Sequence, residues 1–302
     1  MVSSLRVTSP RGECSHRGRY MSLVFMDSFD HYSSAQITQK WDSFLGTGGG
    51  TVTLTAAAGR RGTFGAAFSN GITTQITKNI SSLSCYILGL AFKYAGGLPF
   101  RDVAQFLDNG TVHLGLRLST GGLLSIERGA EGTVIGTSID PMNSDTFYYL
   151  EIKAEISNSI SAGGVEVRVN GVSWITLAAG TDTQNGASAQ INQINLGFNG
   201  NPGTACITID DLYIANTLGT ENNNFLGDMI IESVFISSTG TVSNFLPSSA
   251  GATLVSMISE SAPNSNVNFM YASDVSAAAR FTMSALASAN GSIYGVQLNL
   301  NV

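Results

Sequence analysis

From residue 21 onward the chain is a succession of short runs in which apolar and polar residues alternate, broken by clusters of Gly, Asn, Ser and Thr. The clearest is Val165-Glu166-Val167-Arg168-Val169-Asn170-Gly171-Val172-Ser173-Trp174. Val165, Val167 and Val169 point one way and Glu166 and Arg168 the other. Asn170-Gly171 supplies the two positive-φ residues of a type I′ turn, so the segment predicts a β-hairpin with one buried face. In residues 147–156, Tyr148, Leu150, Ile152, Ala154 and Ile156 form the apolar face, and Tyr149, Glu151, Lys153 and Glu155 the opposite one. Strands are likewise predicted over 23–26, 51–55, 72–80, 85–92, 103–107, 112–118, 123–128, 194–198 and 207–214, with a short helix or irregular loop over 33–41. So many short strands between 21 and 216, with almost no helix, predict two antiparallel sheets packed face to face.

The polar break at residues 217–224 marks the expected boundary to a small second unit, 217–302. Its apolar-rich runs 229–236 and 294–302 read as strands, the second alternating through Tyr294, Val296, Leu298, Leu300 and Val302. A strand at the end of a small unit leaves an edge and an apolar face in need of cover. These five residues are therefore the candidate assembly contacts, expected to meet a second copy in a closed homo-oligomer such as a trimer, or another protein.

Composition changes the picture in one respect. Apolar residues make up 43% of the chain and charged residues only 12%, about half the usual ~25%, so hydroxyls and amides dominate the solvent faces. Arg6, Arg11, Arg17 and Arg19 outnumber Glu13 at the start, which leaves the body more acidic than the overall net charge of −6. An acidic body with no basic stripe argues against nucleic-acid binding. Residues 1–20 read as a disordered tail or an over-long start, with Met21 as the structural beginning. No apolar run approaches a membrane span or the core of a secretory signal, so neither insertion nor secretion is expected. Cys14, Cys85 and Cys206 have neither disulfide-framework nor zinc spacing; Cys85 and Cys206 read as buried small hydrophobes in a chain compatible with a reducing cytoplasm.

Catalytic signals are weak. Glu151 and Glu155 share a face, but Lys153 lies between them, and such a ladder reads as a solvated surface rather than a glycosidase pair. Asp210 and Asp211 are adjacent and cannot share one face of a regular strand without a bulge. Either one accepts backbone N–H bonds at a bulge, or one helps to bind Ca²⁺; Asp27 and Asp30 offer a fainter version of the same choice. His16, His31 and His113 have no metal-ligand spacing, and His113 reads as a surface or satisfied core residue. No Gly-x-Ser-x-Gly occurs, and glycine-rich 46–50 lacks the Lys of a phosphate loop. Asn79-Ile80-Ser81, Asn109-Gly110-Thr111 and Asn290-Gly291-Ser292 match glycosylation acceptors by composition alone. Tyr149, Trp174 and Tyr213 are candidate sugar-stacking aromatics that could equally be core. The residues thus predict no enzyme and no cofactor beyond the calcium alternative.

Several stretches together resemble a group of tailed-bacteriophage virion proteins with a concanavalin A-like (laminin-G-like) jelly roll. They are residues 21–32, Gly59-Arg60-Arg61-Gly62, Phe147-Tyr148-Tyr149-Leu150-Glu151-Ile152-Lys153, residues 165–174, Ile209-Asp210-Asp211-Leu212-Tyr213-Ile214, and Asn224-Phe225-Leu226-Gly227-Asp228, which in that group opens the second domain. The resemblance covers about residues 21–236. It implies an all-β jelly-roll sandwich over 21–216 with a smaller C-terminal β domain. It further implies a virion structural protein (decoration, adaptor or tail component), made in the host cytoplasm and working through contacts with capsid or tail proteins. A glycan-binding adhesin that recognises host surface sugars is the alternative, and a polysaccharide depolymerase ranks below both. No catalytic residues carry over.

Overall fold

The computed structural model of the chain describes residues 22–69, 72–95, 101–199, 206–258, 269–274, 277–287 and 291–298. The sandwich strands, in chain order, are β1 (Leu23–Asp27), β2 (Ser43–Thr47), β3 (Thr51–Thr55), β4 (Gly65–Ser69), β5 (Thr73–Leu83), β6 (Cys85–Tyr94), β7 (Arg101–Asp108) and β8 (Thr111–Leu118). They continue with β9 (Leu124–Arg128), β10 (Thr133–Thr137), β11 (Tyr148–Glu155), β12 (Gly164–Val169), β13 (Val172–Leu177), β14 (Ile191–Asn199) and β15 (Cys206–Asn216). All pairings are antiparallel. An eight-stranded sheet runs β13-β12-β11-β6-β15-β4-β3, with β1 also on β15, and a seven-stranded sheet runs β10-β9-β8-β7-β14-β5-β2. This is the expected all-β, two-sheet jelly-roll sandwich.

The period-two pattern decides which side of each strand is buried. Leu88, Leu90 and Phe92 of β6, Leu150, Ile152 and Ala154 of β11, and Val165, Val167 and Val169 of β12 fill the space between the sheets from one side. Phe106, Leu114, Leu116, Leu118, Ile126, Ile194 and Leu196 fill it from the other. Each fully buried side chain of this size contributes roughly 1.5–3 kcal/mol relative to exposure, so this layer is the main stabilising term. Asn170 and Gly171 have φ of 50° and 79°, as the type I′ hairpin requires. The Asn170 side chain and backbone also exchange hydrogen bonds with the Tyr149 backbone, pinning the turn to β11. Asn109 and Gly110 (φ 46° and 81°) make the same turn between β7 and β8.

Some expectations need correcting. Trp174 falls at an irregularity of the β12–β13 ladder, where Ile175 pairs with Val167 and Ser173 with Arg168, and it packs against the inter-sheet core from its margin. Trp174 is half-buried with its ring edge-on to Tyr148 at 6.5 Å. Cys85 is half-buried rather than core. Strands β2, β4 and β10 went unforeseen because Ser-Phe-Leu-Gly-Thr, Gly-Ala-Ala-Phe-Ser and Thr-Val-Ile-Gly-Thr hold too little alternation to stand out. They exist because a neighbouring strand templates them.

Beyond the sandwich come β16 (Ile236–Ser243), β17 (Leu246–Pro247), a short helix Leu254–Ile258, β18 (Met270–Tyr271) and β19 (Ala279–Met283). They form two separate ribbons, β16–β19 and β17–β18. The strand expected over 229–236 is irregular up to Phe235. Residues 292–298 form no strand either. That segment is instead held by its side and main chain: Met26 N donates to Gln297 Oε1 at 3.0 Å, and Asn222 Nδ2 donates to the Tyr294 carbonyl at 2.6 Å. The expected 1–20 tail with Cys14 and His16, Asn290, the Cys206 side chain, and Leu300 and Val302 lie outside the described residues.

Candidate functional site

Register across the seven-stranded sheet places Glu127, Gly115, Gln105, Asn195, Thr77 and Ser43 in one row on its outer side, with Ser125, Arg117 and Asp102 beside it. The side chains interlock. Arg117 bridges Glu127 (2.9 Å) and Asp102 (3.1 Å). Gln105 Nε2 donates to Asp102 Oδ2 at 2.9 Å, while Gln105 Oε1 accepts from both Gln75 and Asn195 at 3.3 Å. Thr77 Oγ1 donates to Asn195 Oδ1 at 2.9 Å. Burial, opposed by the Arg117 charge, pushes the Asp102 carboxyl up to about 6. Gly115 has no side chain in the middle of this face; a Cβ there would meet only Asp102 Oδ1, at 4.0 Å, which leaves a notch above the sheet.

A cleft of about 440 Å³ lies where β5 and β14 meet the β7–β8 turn, lined by Asn79, Ile80, Ser82, Asn109, Gly110, Asn192 and Gln193. Its carboxamides are held in place. Asn192 Nδ2 (2.7 Å) and Asn109 Nδ2 (3.0 Å) both donate to Asp108 Oδ1. Asn109 N donates to Asn192 Oδ1 at 3.0 Å, and Gln193 Nε2 donates to Asn79 Oδ1 at 3.1 Å. Two of the three glycosylation triplets noted in the sequence thus face one cleft. Fixed amide donors and acceptors with no positive charge among them suit the hydroxyls of a neutral polar ligand. The sequence reading missed this site because outward Gln and Asn residues look like ordinary solvent-face positions. The available signal was their recurrence at Gln75, Gln105, Gln193 and Asn195 on three adjacent strands.

The sequence-predicted residues gather elsewhere, on the outer face of the eight-stranded sheet. Residues 225–231 lie across it, and Phe225, Leu226, Met229 and Ile231 pack on Ile87, Ala91, Tyr149, Tyr213 and Ala215. Glu151 Oε1 accepts from Tyr213 Oη (2.6 Å) and from the Leu226 and Gly227 amides (2.9 Å each). Glu151 is therefore buried, contrary to the solvated ladder expected for it. Tyr149 and Tyr213, each 1% exposed, present no ring to a sugar; Tyr149 Oη donates to the Asp211 carbonyl.

Asp210 and Asp211 sit at the expected bulge, with Asp211 at φ 47°. Arg60 N donates to Asp210 Oδ2 at 2.8 Å, Asp211 N to Asp210 Oδ1 at 2.7 Å, and Ile231 N to Asp211 Oδ1 at 2.8 Å. The Arg60 guanidinium reaches Asp211 and Asp228. The two carboxylates thus accept backbone N–H bonds at a bulge, which is the first of the two alternatives raised by the sequence. Among the described residues no cluster of His, Cys, Asp and Glu could hold a metal ion.

Burial, and for Asp210 the neighbouring Asp211 charge, lifts these carboxyls to about 7 and about 6. Groups raised in this way hold protons in the folded chain that the unfolded chain releases, so their stabilising effect is lost as pH rises through about 6–7. The thermal midpoint should therefore rise on acidification from about pH 8 to about pH 6, and Asp210→Asn should flatten that slope. A midpoint that falls over this interval would contradict the assignment.

Two further clusters are structural. Asp27 accepts from Tyr32 Oη, Trp41 Nε1 and Phe29 N, and pairs with Lys40 at 3.3 Å. Asp30 accepts from Phe64 N. His31, against Lys40, is pushed down to about 4, first by burial and then by that charge. His113 is fully buried, so it is a core rather than a surface histidine, and its Nδ1 accepts from the Asn185 and Gly186 amides. Among the described residues no helix is long and apolar enough to cross a membrane.

No protein-family model matches the chain, and no curated protein matches it. Solved structures do. The cellulose induced protein Cip1 superposes with a TM-score of 0.52 at 14% identity, covering 68% of this chain and 100% of its own. An endo-β-1,4-glucuronan lyase from the fungus Trichoderma reesei gives 0.48 at 10% identity over 58% and 91%. A protein of unknown function with a galectin-like fold from Bacillus subtilis gives 0.45 at 9% identity over 64% and 96%. At these identities the first superposition establishes a shared sandwich fold and nothing about chemistry.

Proposed function

We propose that the protein binds carbohydrate through the outer face of its seven-stranded sheet, with the carboxamide cleft as the contact surface for a neutral saccharide. The observation that carries this reading is the amide set of Asn79, Asn109, Asn192 and Gln193 lining one cleft, in which Asp108 holds Asn109 and Asn192, and Asn79 accepts from Gln193. Preoriented donors and acceptors can replace water on vicinal sugar hydroxyls without a loss of side-chain freedom on binding. Arg117, at the centre of the face, is committed to two carboxylates, which leaves it poorly suited to an acidic sugar or to stabilising a developing negative charge. The reading is therefore one of binding rather than turnover.

A glycan array followed by titration of the best ligand tests the proposal. Asn192→Ala combined with Gln193→Ala should weaken binding at least about tenfold, the equivalent of roughly 1.4 kcal/mol of lost hydrogen bonding. Absence of any saccharide ligand, or indifference to the double variant, would overturn it.

A second reading, a virion structural component, is favoured by a different observation: large apolar side chains stay exposed through residues 235–298. Mass spectrometry of purified particles would test it, and absence of the chain from them would remove it.

A further inference from the structure

The chain between β13 and β14 passes from one sheet to the other and is tied down by a histidine. Thr183 bonds to the Glu155 and Ser157 backbone at the end of β11. Two residues on, the Asn185 and Gly186 amides both donate to Nδ1 of His113 on β8, at 3.0 and 3.2 Å, and Asn185 Nδ2 donates to the Val112 carbonyl at 3.0 Å. A Cβ on Gly186 would meet His113 Cε1 at 3.0 Å and Thr111 Cγ2 at 3.3 Å, so the loop lies directly on the ring. A backbone N–H can only donate, so Nδ1 carries no proton and the ring is neutral. Its Nε2 is equally buried and has no hydrogen-bond partner among the described residues. The loop then delivers Asn192, which stands where the β14–β5 register shifts between Ile191 and Gln193. At that irregularity Asn192 is oriented by Asp108 and Asn109 across the cleft.

We infer that His113 is a proton-sensitive latch on the carboxamide cleft: the neutral ring holds residues 184–190 against β8 and so keeps Asn192 facing Asn109, and a proton at Nδ1 releases them. That proton would turn the acceptor of two N–H bonds into a third donor aimed at them, so the closed loop and the charged ring exclude each other. The surrounding charges do not remove the conflict. Burial pushes the ring below its ordinary pKa, against the Asp108 charge at the end of β7 and the Gln190 backbone, which favour the charged form. On β9, Glu127 is paired with Arg117, and Arg128 with Asp182 of the loop. A histidine lowered in this way stabilises the closed loop fully above its ordinary pKa of about 6.5, and the contribution is lost as pH falls. That window lies below the one in which Asp210 and Asp211 act. Release of the loop follows from the ring and its two amides alone; its effect on a saccharide rests on the carbohydrate reading of the cleft.

Hydrogen exchange of the unaltered protein, with each amide referred to its intrinsic rate, tests the latch. Between about pH 7.5 and about pH 5 the protection of the Asn185 and Gly186 amides should fall roughly ten- to thirtyfold, the factor supplied by an ordinary histidine that is charged only in the open loop. The Asn109 amide, bonded to Asn192 Oδ1, should follow, while β6 and β11 keep their protection. His113→Gln, whose carboxamide can accept the same bonds but does not titrate, should abolish the pH dependence. Should that variant fail to fold, nitrogen shifts of the ring in the unaltered protein decide: Nδ1 should be unprotonated at the higher pH and gain its proton in step with the loss of protection. Protection unchanged on acidification, a ring that is protonated while both amides stay protected, or the same fall in His113→Gln would each overturn the latch. For the saccharide found on the array, affinity should drop over the same interval in the parent and not in His113→Gln. Equal affinity at both pH values would overturn control of the cleft. An array that returns no saccharide would remove the carbohydrate reading and leave the exchange result to decide the latch.

Discussion

Asp27→Ala is expected to destabilise the sandwich by roughly 3–5 kcal/mol, the range found when one member of a buried ion pair is removed. Asp27 is fully buried, and its two oxygens serve four donors: Phe29 N, Tyr32 Oη, Trp41 Nε1 and the Lys40 ammonium. Alanine would leave Lys40, only 10% exposed at its side chain, without its counter-charge. It would also remove the acceptor of the Tyr32 hydroxyl and leave the Trp41 indole N–H only its longer, 3.2 Å bond to Tyr32 Oη. Those two rings belong to the inter-sheet cluster with Phe25 and Phe29, so the loss propagates into packing. Asp27→Asn keeps acceptor oxygen but not charge and should fall between the variant and the parent. Urea denaturation measures both; a loss under about 1 kcal/mol for Asp27→Ala would show that the cluster relaxes around the gap.

Glu151→Ala should act on another part of the molecule. Its Oε1 holds three donors, two of them the Leu226 and Gly227 amides. Hydrogen bonds to an ionised acceptor contribute about 1.5–3 kcal/mol each, but amides that lift off the sheet regain water, so a net loss of roughly 2–4 kcal/mol is expected. The distinguishing result is its location. Residues 225–231 should become sensitive to protease and their amides should exchange, while β6, β11 and β15 keep their protection. Uncovered Tyr149 and Tyr213 would raise the apolar exposure of that face. Uniform destabilisation with no local opening would mean that the hydrophobic contacts of Phe225, Met229 and Ile231 hold the segment without the carboxylate.

How much of this was legible in the sequence depended on range. The inward positions of β6, β11, β12 and β15 were readable because period-two alternation is a property of a few consecutive residues, and the Asn170-Gly171 turn because its geometry constrains two residues. The Asp210-Asp211 bulge was readable for the same reason: two adjacent carboxylates on one strand force the question. What could not be read was which outward faces are covered. Tyr149, Glu151 and Tyr213 have the pattern of solvent-facing residues, and they are buried only because residues 225–231 fold back over them. The carboxamide cleft draws on β5, β14 and the β7–β8 turn, and no single stretch of sequence contains it. The final run, 294–298, alternates as a strand should, yet it finds a side-chain contact at β1 in place of a ladder. Alternation predicts the capacity to pair, and a partner edge decides whether pairing occurs.

The placement of β1 against the far half of β15 sets a timetable for synthesis. β1 leaves the ribosome roughly 190 residues before its partner, a wait of about 10–40 s at ordinary elongation rates. During that interval the hairpins β7–β8 and β12–β13 can close on their own turns, and β11 can pair with β6. The slot between β6 on one side and β4 and β1 on the other stays empty until Cys206–Asn216 emerges. Insertion of this central strand late in translation is a non-local step of the kind that slows β-rich folding. A nascent chain arrested before β15 would therefore carry an open sheet with the apolar sides of β6 and β11 available to chaperones. One arrested well past Ile231 would release a closed sandwich with its outer strap already in place.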